Sequence, residues 1–308
     1  MSRQIHGVIP PIVTPFTQRN EVDEPQLRAL VNFLIDAKVH GLVTCGTTGE
    51  FSMLSYEERK RVTEIVADEA MDRIPVIEGV TAVATDDAVM FAKHAKEFAL
   101  DAVMAAPSYY FKLGEEALYD YFSSIANVGI PLIVYNNPFT TKVDLSPAFL
   151  VKLSKEYSNV RYVKESSGDV RRVTEIRTLG GKRPEVICGE DTLIFEFFAL
   201  GAVGWISTAS NAVPRQSVEM YETVAVKKDL AGGLGLMYEL LPAITILDGP
   251  KGIQAVKAGL KMQGLDVGPT RRPLMPLNAE ELDSLRGVLS QLGLVNPGRV
   301  TASRKRRT

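Results

Sequence analysis

Lys164 closes the run Asn159-Val160-Arg161-Tyr162-Val163-Lys164, and Glu165-Ser166-Ser167-Gly168-Asp169 leads from it into a helical pattern starting at Val170. A β-prone apolar segment that hands over to a helix through a Ser-Gly-Asp turn reads as the strand of an α/β unit. The lysine therefore stands at the strand's carboxyl end, where a parallel sheet closed by helices turns its side chains toward a ligand. In apolar company an ammonium group loses solvation, and the free amine can attack a carbonyl carbon. That chemistry is imine formation. The plainer reading is a structural lysine paired with Glu165.

Two further stretches carry groups suited to such a reaction. Gly46-Thr47-Thr48-Gly49-Glu50 follows a strand-like run. Glycines flanking two hydroxyl residues let backbone N–H groups turn inward as a cradle for a carboxylate, although an ordinary threonine-capped turn has the same composition. The Lys and Ser/Thr of a phosphate-binding Walker loop are missing at the required spacing. Tyr135, at the end of Leu132–Tyr135, offers a phenol that can relay a proton or simply close a core. The loop Pro107-Ser108-Tyr109-Tyr110 exposes two adjacent aromatics, a composition suited to a subunit interface.

The elements that must position these groups are short apolar runs, each followed by a helical pattern. They are Val8–Val13, Leu42–Cys45, Val76–Glu78, Ala102–Ala105, Leu132–Tyr135, Arg161–Lys164, Val186–Cys188 and Val203–Ile206. Continuous rather than alternating hydrophobicity marks strands buried on both faces, and eight strand–helix units fit a (β/α)8 TIM barrel. Ser55 with Glu58 forms a capping box, acids open the helix at Thr85, and Ser146-Pro147 starts another. After about Asn211 the pattern is helical throughout: Pro214–Val226, Leu230–Leu247, Ile253–Lys261 and Ala279–Leu292. The division expected is a barrel over 1–226, a C-terminal helical domain over 227–296 and a disordered basic tail over 297–308. Gly232, Gly233 and Gly235 resemble half of a dinucleotide fingerprint, but no strand precedes them, so close helix packing is the expectation.

The chain has 308 residues, of which 45% are hydrophobic and 23% charged, with a net charge of −2. That is globular composition, and near-neutrality offers nothing to nucleic acid or an anionic membrane. Met1 to Gly7 lacks the apolar stretch of a signal peptide, and no later run reads as long enough to span a bilayer, so the cytoplasm is the expected compartment. Cys45 and Cys188 each close a strand-like run and are expected as reduced thiols. His6, His40 and His94 have no ligand spacing, so neither a metal nor another cofactor is expected.

Taken together, Gly46-Thr47-Thr48-Gly49-Glu50, Pro107 to Tyr110, Tyr135-Asn136-Asn137-Pro138, Val163 to Asp169 and Gly204-Trp205-Ile206-Ser207 resemble, in order and spacing, the dihydrodipicolinate synthase / N-acetylneuraminate lyase family. The resemblance runs to about Leu292. It implies a metal-free class I lyase on a (β/α)8 barrel with a C-terminal helical domain, assembled as a homotetramer of tight dimers. Lys164 then matches the lysine that forms a Schiff base with pyruvate or another small 2-keto acid, and Tyr135 the proton-shuttling tyrosine. Thr47 matches the hydroxyl that extends the relay, and Tyr109 the tyrosine that completes it from a neighbouring subunit. Thr48, with the loop amides from Gly46 onward, matches the holder of the keto-acid carboxylate. Gly189 and Ile206 match backbone positions lining the pocket.

One departure bears on the substrate. Synthases of this family carry an arginine two residues past the proline of the Tyr-Asn-x-Pro motif, where it holds the carboxylate of aspartate semialdehyde; this chain has Phe139-Thr140-Thr141. Threonine cannot replace a bidentate guanidinium. Phe51, Phe139 and Trp205 suggest a more apolar or differently shaped second-substrate pocket. The expectation is aldol cleavage or condensation, dehydration or deamination of a longer 2-keto acid. Synthesis of 4-hydroxy-tetrahydrodipicolinate is the alternative within the family, and a keto-acid-binding barrel without turnover the alternative outside it.

Overall fold

The computed structural model describes residues 3–296; the basic tail expected over 297–308 lies outside them. Eight strands form one sheet: β1 Gly7–Val8, β2 Leu42–Thr44, β3 Val76–Gly79, β4 Ala102–Ala105, β5 Leu132–Asn136, β6 Val160–Glu165, β7 Glu185–Cys188 and β8 Gly204–Trp205. Each pairs in parallel with its sequence neighbour from β2 to β8, and β8 pairs with β1. The ring closes through a parallel bridge between Pro11 and Val43, with Val43 N–H donating to Pro10 O at 2.9 Å. This is the barrel expected. Its first strand is shorter than the apolar run Val8–Val13, because Pro10 and Pro11 have no N–H to give to a ladder.

Helices fill the connections, and their starts follow the local chemistry. Both legs of the Ser55–Glu58 capping box form, at 3.1 and 2.8 Å, and open the helix Tyr56–Ala70. Ser146 caps Pro147–Glu156. Alternation along each strand sorts side chains into two cores. Ile9, Val43, Ile77, Ile133, Tyr162, Ile187 and Ile206 fill the barrel interior, while Val163, Val186, Trp205 and their outward neighbours pack beneath the helices. Each fully buried Val, Ile or Leu contributes about 1.5–3 kcal/mol, so both layers hold the strand register firmly.

Beyond Pro214 the chain is helical. The expected helix Pro214–Val226 is regular to Met220 and continues as a π-helical segment, Tyr221–Val226. The next helix, Leu230–Leu247, lies against that segment: a Cβ on Gly233 would come within 2.2 Å of Val224 Cγ2, so this glycine serves close packing. With 18 residues and a mean hydropathy of 1.6, Leu230–Leu247 is long and apolar enough by length and composition to cross a membrane, which corrects the reading that no run reaches that length. Met237, Leu240, Ala243, Ile244 and Leu247 are buried within this chain.

Candidate active site

Lys164 and Tyr135 are direct neighbours in the β5–β6 register, and both point into the barrel at its carboxyl end. Lys164 is only 6% exposed, and its Nζ lies 4.1 Å from the centroid of the Tyr135 ring. The pairing of Lys164 with Glu165 is not formed. Glu165 points the opposite way, as the next residue on a strand must. Its oxygens accept from Asn136 Nδ2 at 3.2 Å and from Ser167 N–H at 2.7 Å, with Arg172 3.7 Å away. Its carboxyl is pushed above the ordinary range by burial. The lysine thus has no carboxylate beside it in the barrel mouth from its own strand.

Gly189, at the end of β7, makes room for that lysine. A Cβ there would lie 2.6 Å from Lys164 Cε and 2.1 Å from Ser166 Oγ. No larger residue fits without moving the amine. Lys164, Tyr135, Thr47, Thr48, Thr140, Ser166 and Gly189 line one cavity of about 400 Å³. A smaller one of about 120 Å³, lined by Gly46, Thr47, Phe51, Tyr109 and Thr140, shares the Tyr135 wall. Ile206 is buried in the barrel interior below.

The loop after β2 is wound tightly. Gly49 N–H and Phe51 N–H donate to Gly46 O, and Glu50 N–H to Thr47 O. Among the described residues the N–H groups of Thr47 and Thr48 are engaged in no hydrogen bond, and Thr48 Oγ1 lies 3.1 Å from Thr208 Oγ1. Free N–H groups on a glycine-bounded turn are an anion cradle. The Tyr135 hydroxyl accepts from Asn137 Nδ2 at 2.7 Å. Tyr109 stacks edge-on against Phe51 and lines the smaller cavity. Tyr110 is the outward one, at 75% exposure.

A comparison with known proteins decides what this arrangement belongs to. The family model described as the dihydrodipicolinate synthetase family matches residues 4–292. The chain belongs to that family. The 4-hydroxy-tetrahydrodipicolinate synthase of Methanopyrus kandleri is 38% identical over 97% of this chain and 100% of its own; that of Methanocaldococcus jannaschii is 36% identical over 94% and 99%. A putative dihydrodipicolinate synthetase from Pseudomonas aeruginosa superposes with a TM-score of 0.91 at 34% identity, covering 94% of this chain and 100% of that one. YagE from E. coli K12, solved in complex with pyruvate, superposes at 0.89 with 30% identity over 95% and 100%. As a member of the dihydrodipicolinate synthetase family, the protein is a class I lyase.

Several residues of this family member's site were invisible to motif reading. Asp191, fully buried, accepts from Trp205 Nε1 at 2.8 Å, Ser207 Oγ at 2.9 Å and Ala209 N–H at 2.9 Å, which ties the end of β7 to the end of β8. Trp205 is therefore turned into the helix layer and forms no part of the pocket; its place between inward Ile206 and the β8 alternation could have shown this. Phe139 does line the larger cavity, but so do the polar Glu190, Thr208, Asp248 and Gln254. Lys257, 4% exposed, pairs with the Glu50 carboxylate at 2.7 Å and donates to Thr14 O and Pro269 O at 2.8 Å. Arg271 N–H donates to the other Glu50 oxygen at 2.8 Å. The helical region thereby grips the far end of the Gly46–Glu50 loop. Both cysteines are free and buried; burial pushes Cys45 up to about 11, which keeps it a thiol. Among the described residues no group of three or more His, Cys, Asp and Glu is placed to hold a metal.

Proposed function

We propose that Lys164 Nζ attacks the ketone carbon of pyruvate or another 2-keto acid bound over the barrel mouth. The carbonyl oxygen leaves as water, and the protonated imine so formed draws electrons from the adjacent carbon, allowing a bond there to be made or broken through an enamine. Tyr135 exchanges the protons, with Thr47 and Tyr109 extending the relay, at a site from which bulk water is largely excluded. Thr48 and the free loop N–H groups hold the carboxylate. In this reading residues 1–226 carry the site and 227–296 roof it, and a homotetramer covers the exposed Tyr110, Phe111 and Phe139. The observation that carries the proposal is a buried lysine, cleared by Gly189 and set against Tyr135, in the cavity with the anion cradle.

Borohydride reduction in the presence of pyruvate, followed by peptide mapping, tests it. An adduct on Lys164 is expected; an adduct on another lysine, or none across a panel of 2-keto acids, refutes it. A second reading has its own support: the relatives reported above are named 4-hydroxy-tetrahydrodipicolinate synthase. Against that activity, Thr140 stands where the resemblance to the synthases implies an arginine, and among the described residues Lys164 is the only cation lining the larger cavity. A lost charge-assisted bond is worth about 1.5–3 kcal/mol, roughly one to two decades in kcat/KM. Turnover of aspartate semialdehyde with kcat/KM of about 10⁴ M⁻¹s⁻¹ or more would establish the synthase instead.

A further inference from the structure

The loop that frames the carboxylate cradle is bracketed by two residues in the left-handed region, Cys45 at φ 51° and Glu50 at φ 59°. A side chain makes that conformation costly, and it persists only where the surroundings impose it. At the Glu50 end they do so from two other parts of the chain. Lys257, on the helix Gly252–Met262, pairs with the Glu50 carboxylate at 2.7 Å and donates to Thr14 O at 2.8 Å. The Thr14 hydroxyl in turn donates to Gly49 O at 2.7 Å. Arg271 N–H donates to the second Glu50 oxygen at 2.8 Å, and its guanidinium to Met53 O at 2.7 Å. Gly49, Glu50 and Met53 are thus all held from behind. Thr47 and Thr48, whose N–H groups are unpaired among the described residues, line the cavity in front.

We propose that Lys257, Glu50 and Thr14 are positioning residues for the cradle, so that the helical region sets the affinity for the keto-acid carboxylate and leaves the chemistry at Lys164 untouched. The inference rests on the reading of Thr48 and the loop N–H groups as the carboxylate holder. Lys257 and Glu50 have side-chain exposures of only 4% and 0%, and a buried ion pair loses in desolvation much of what it gains in attraction. Packed apolar side chains would join the helical region to the barrel at least as firmly. What they would not supply is direction. The ammonium group has three donors, and two of them are aimed at Glu50 and at the carbonyl of the residue that holds Gly49. Both ends of that arrangement fix backbone within two residues of Thr48, where a small rotation would turn its N–H away from a bound carboxylate.

The test uses the full chain and two probes: lactate, which has the carboxylate but no ketone to condense, titrated by calorimetry, and pyruvate, trapped with borohydride over a range of concentrations. Thr14→Val removes only the hydroxyl that holds Gly49, and Glu50→Gln only the charge that Lys257 meets. Each is expected to weaken lactate binding and to raise half-saturating pyruvate by about tenfold, the scale of one hydrogen bond to a charged group, while the trapping rate at saturating pyruvate stays within about twofold of the wild type. The double variant Glu50→Gln/Lys257→Met leaves no buried charge unpaired, so it should recover most of the melting temperature that Lys257→Met alone loses but not the affinity. Affinity that returns together with the melting temperature, unchanged lactate binding in Thr14→Val and Glu50→Gln, or a saturated trapping rate that falls while half-saturation holds overturns the inference. A wild type that binds no lactate removes the cradle and the inference with it. A wild type that binds lactate but traps no pyruvate refutes the imine at Lys164 alone, and the lactate titrations then decide the positioning role.

Discussion

Gly189→Ala should disable the imine step without touching a reacting group. Its added methyl would stand 2.6 Å from Lys164 Cε, 2.8 Å from Lys164 Cγ and 2.1 Å from Ser166 Oγ. Non-bonded carbons settle at about 3.5–4.0 Å, so the lysine side chain has to withdraw by roughly 1 Å. The backbone cannot yield instead, because β6 and β7 are locked in register from Tyr162↔Glu185 to Glu165↔Cys188. Overpacking of this kind costs about 1–3 kcal/mol of stability, and an ångström of misplacement at a reacting atom costs on the order of 10² in rate. The variant should therefore remain folded at 25 °C, melt below the wild type, and trap pyruvate about a hundredfold more slowly in a borohydride time course. Trapping at the wild-type rate would show that the lysine reaches substrate by another path, and the assignment of Gly189 as its clearance would be wrong.

Other substitutions probe the relay, the buried pair and the acid limb. Tyr135→Phe removes only the hydroxyl that accepts from Asn137, and should lose about 10²–10⁴ in kcat with the melting point little changed; Tyr109→Phe should follow it in kcat while Tyr110→Phe does not, and equal effects of the last two would remove Tyr109 from the relay. Lys257→Met leaves the Glu50 carboxylate, 0% exposed, without its cation, and should destabilise the protein by about 3–5 kcal/mol in urea melts; a loss under 1 kcal/mol would mean that water reaches the pair. Glu58 is held below its ordinary value near 4.5, chiefly by its hydrogen bond from Arg271. A carboxyl depressed in the folded state stabilises fully above its unfolded value and less as pH falls through the folded one, so Glu58→Gln should flatten the stability profile below about pH 4.5, and an unchanged acid limb would contradict the link.

Local pattern determined a large part of this protein. The strands that carry Lys164 and Tyr135 one residue from their carboxyl ends, the Ser55–Glu58 box and the helix Leu230–Leu247 depend on residues near one another in sequence, where periodicity and capping act. The same short range explains the misjudged elements: apolar character ran on through Val13, but the prolines ended β1 after Val8. Tertiary structure alone decided what surrounds the amine. Strand alternation turns Glu165 and Trp205 outward, but only the fold supplies the partners they meet there, Asn136 and Arg172 for the one and the Asp191 carboxylate for the other. Thr48 meets Thr208 across 160 positions, and Lys257 reaches Thr14 across 243. Burial, electrostatics and steric clearance depend on distance in space, and barrel closure makes neighbours of residues that no local pattern relates. The chemistry of the lysine was therefore legible in its strand and motif, whereas the acidic wall at Glu190 and Asp248 came into view only once the helical region had folded over the mouth.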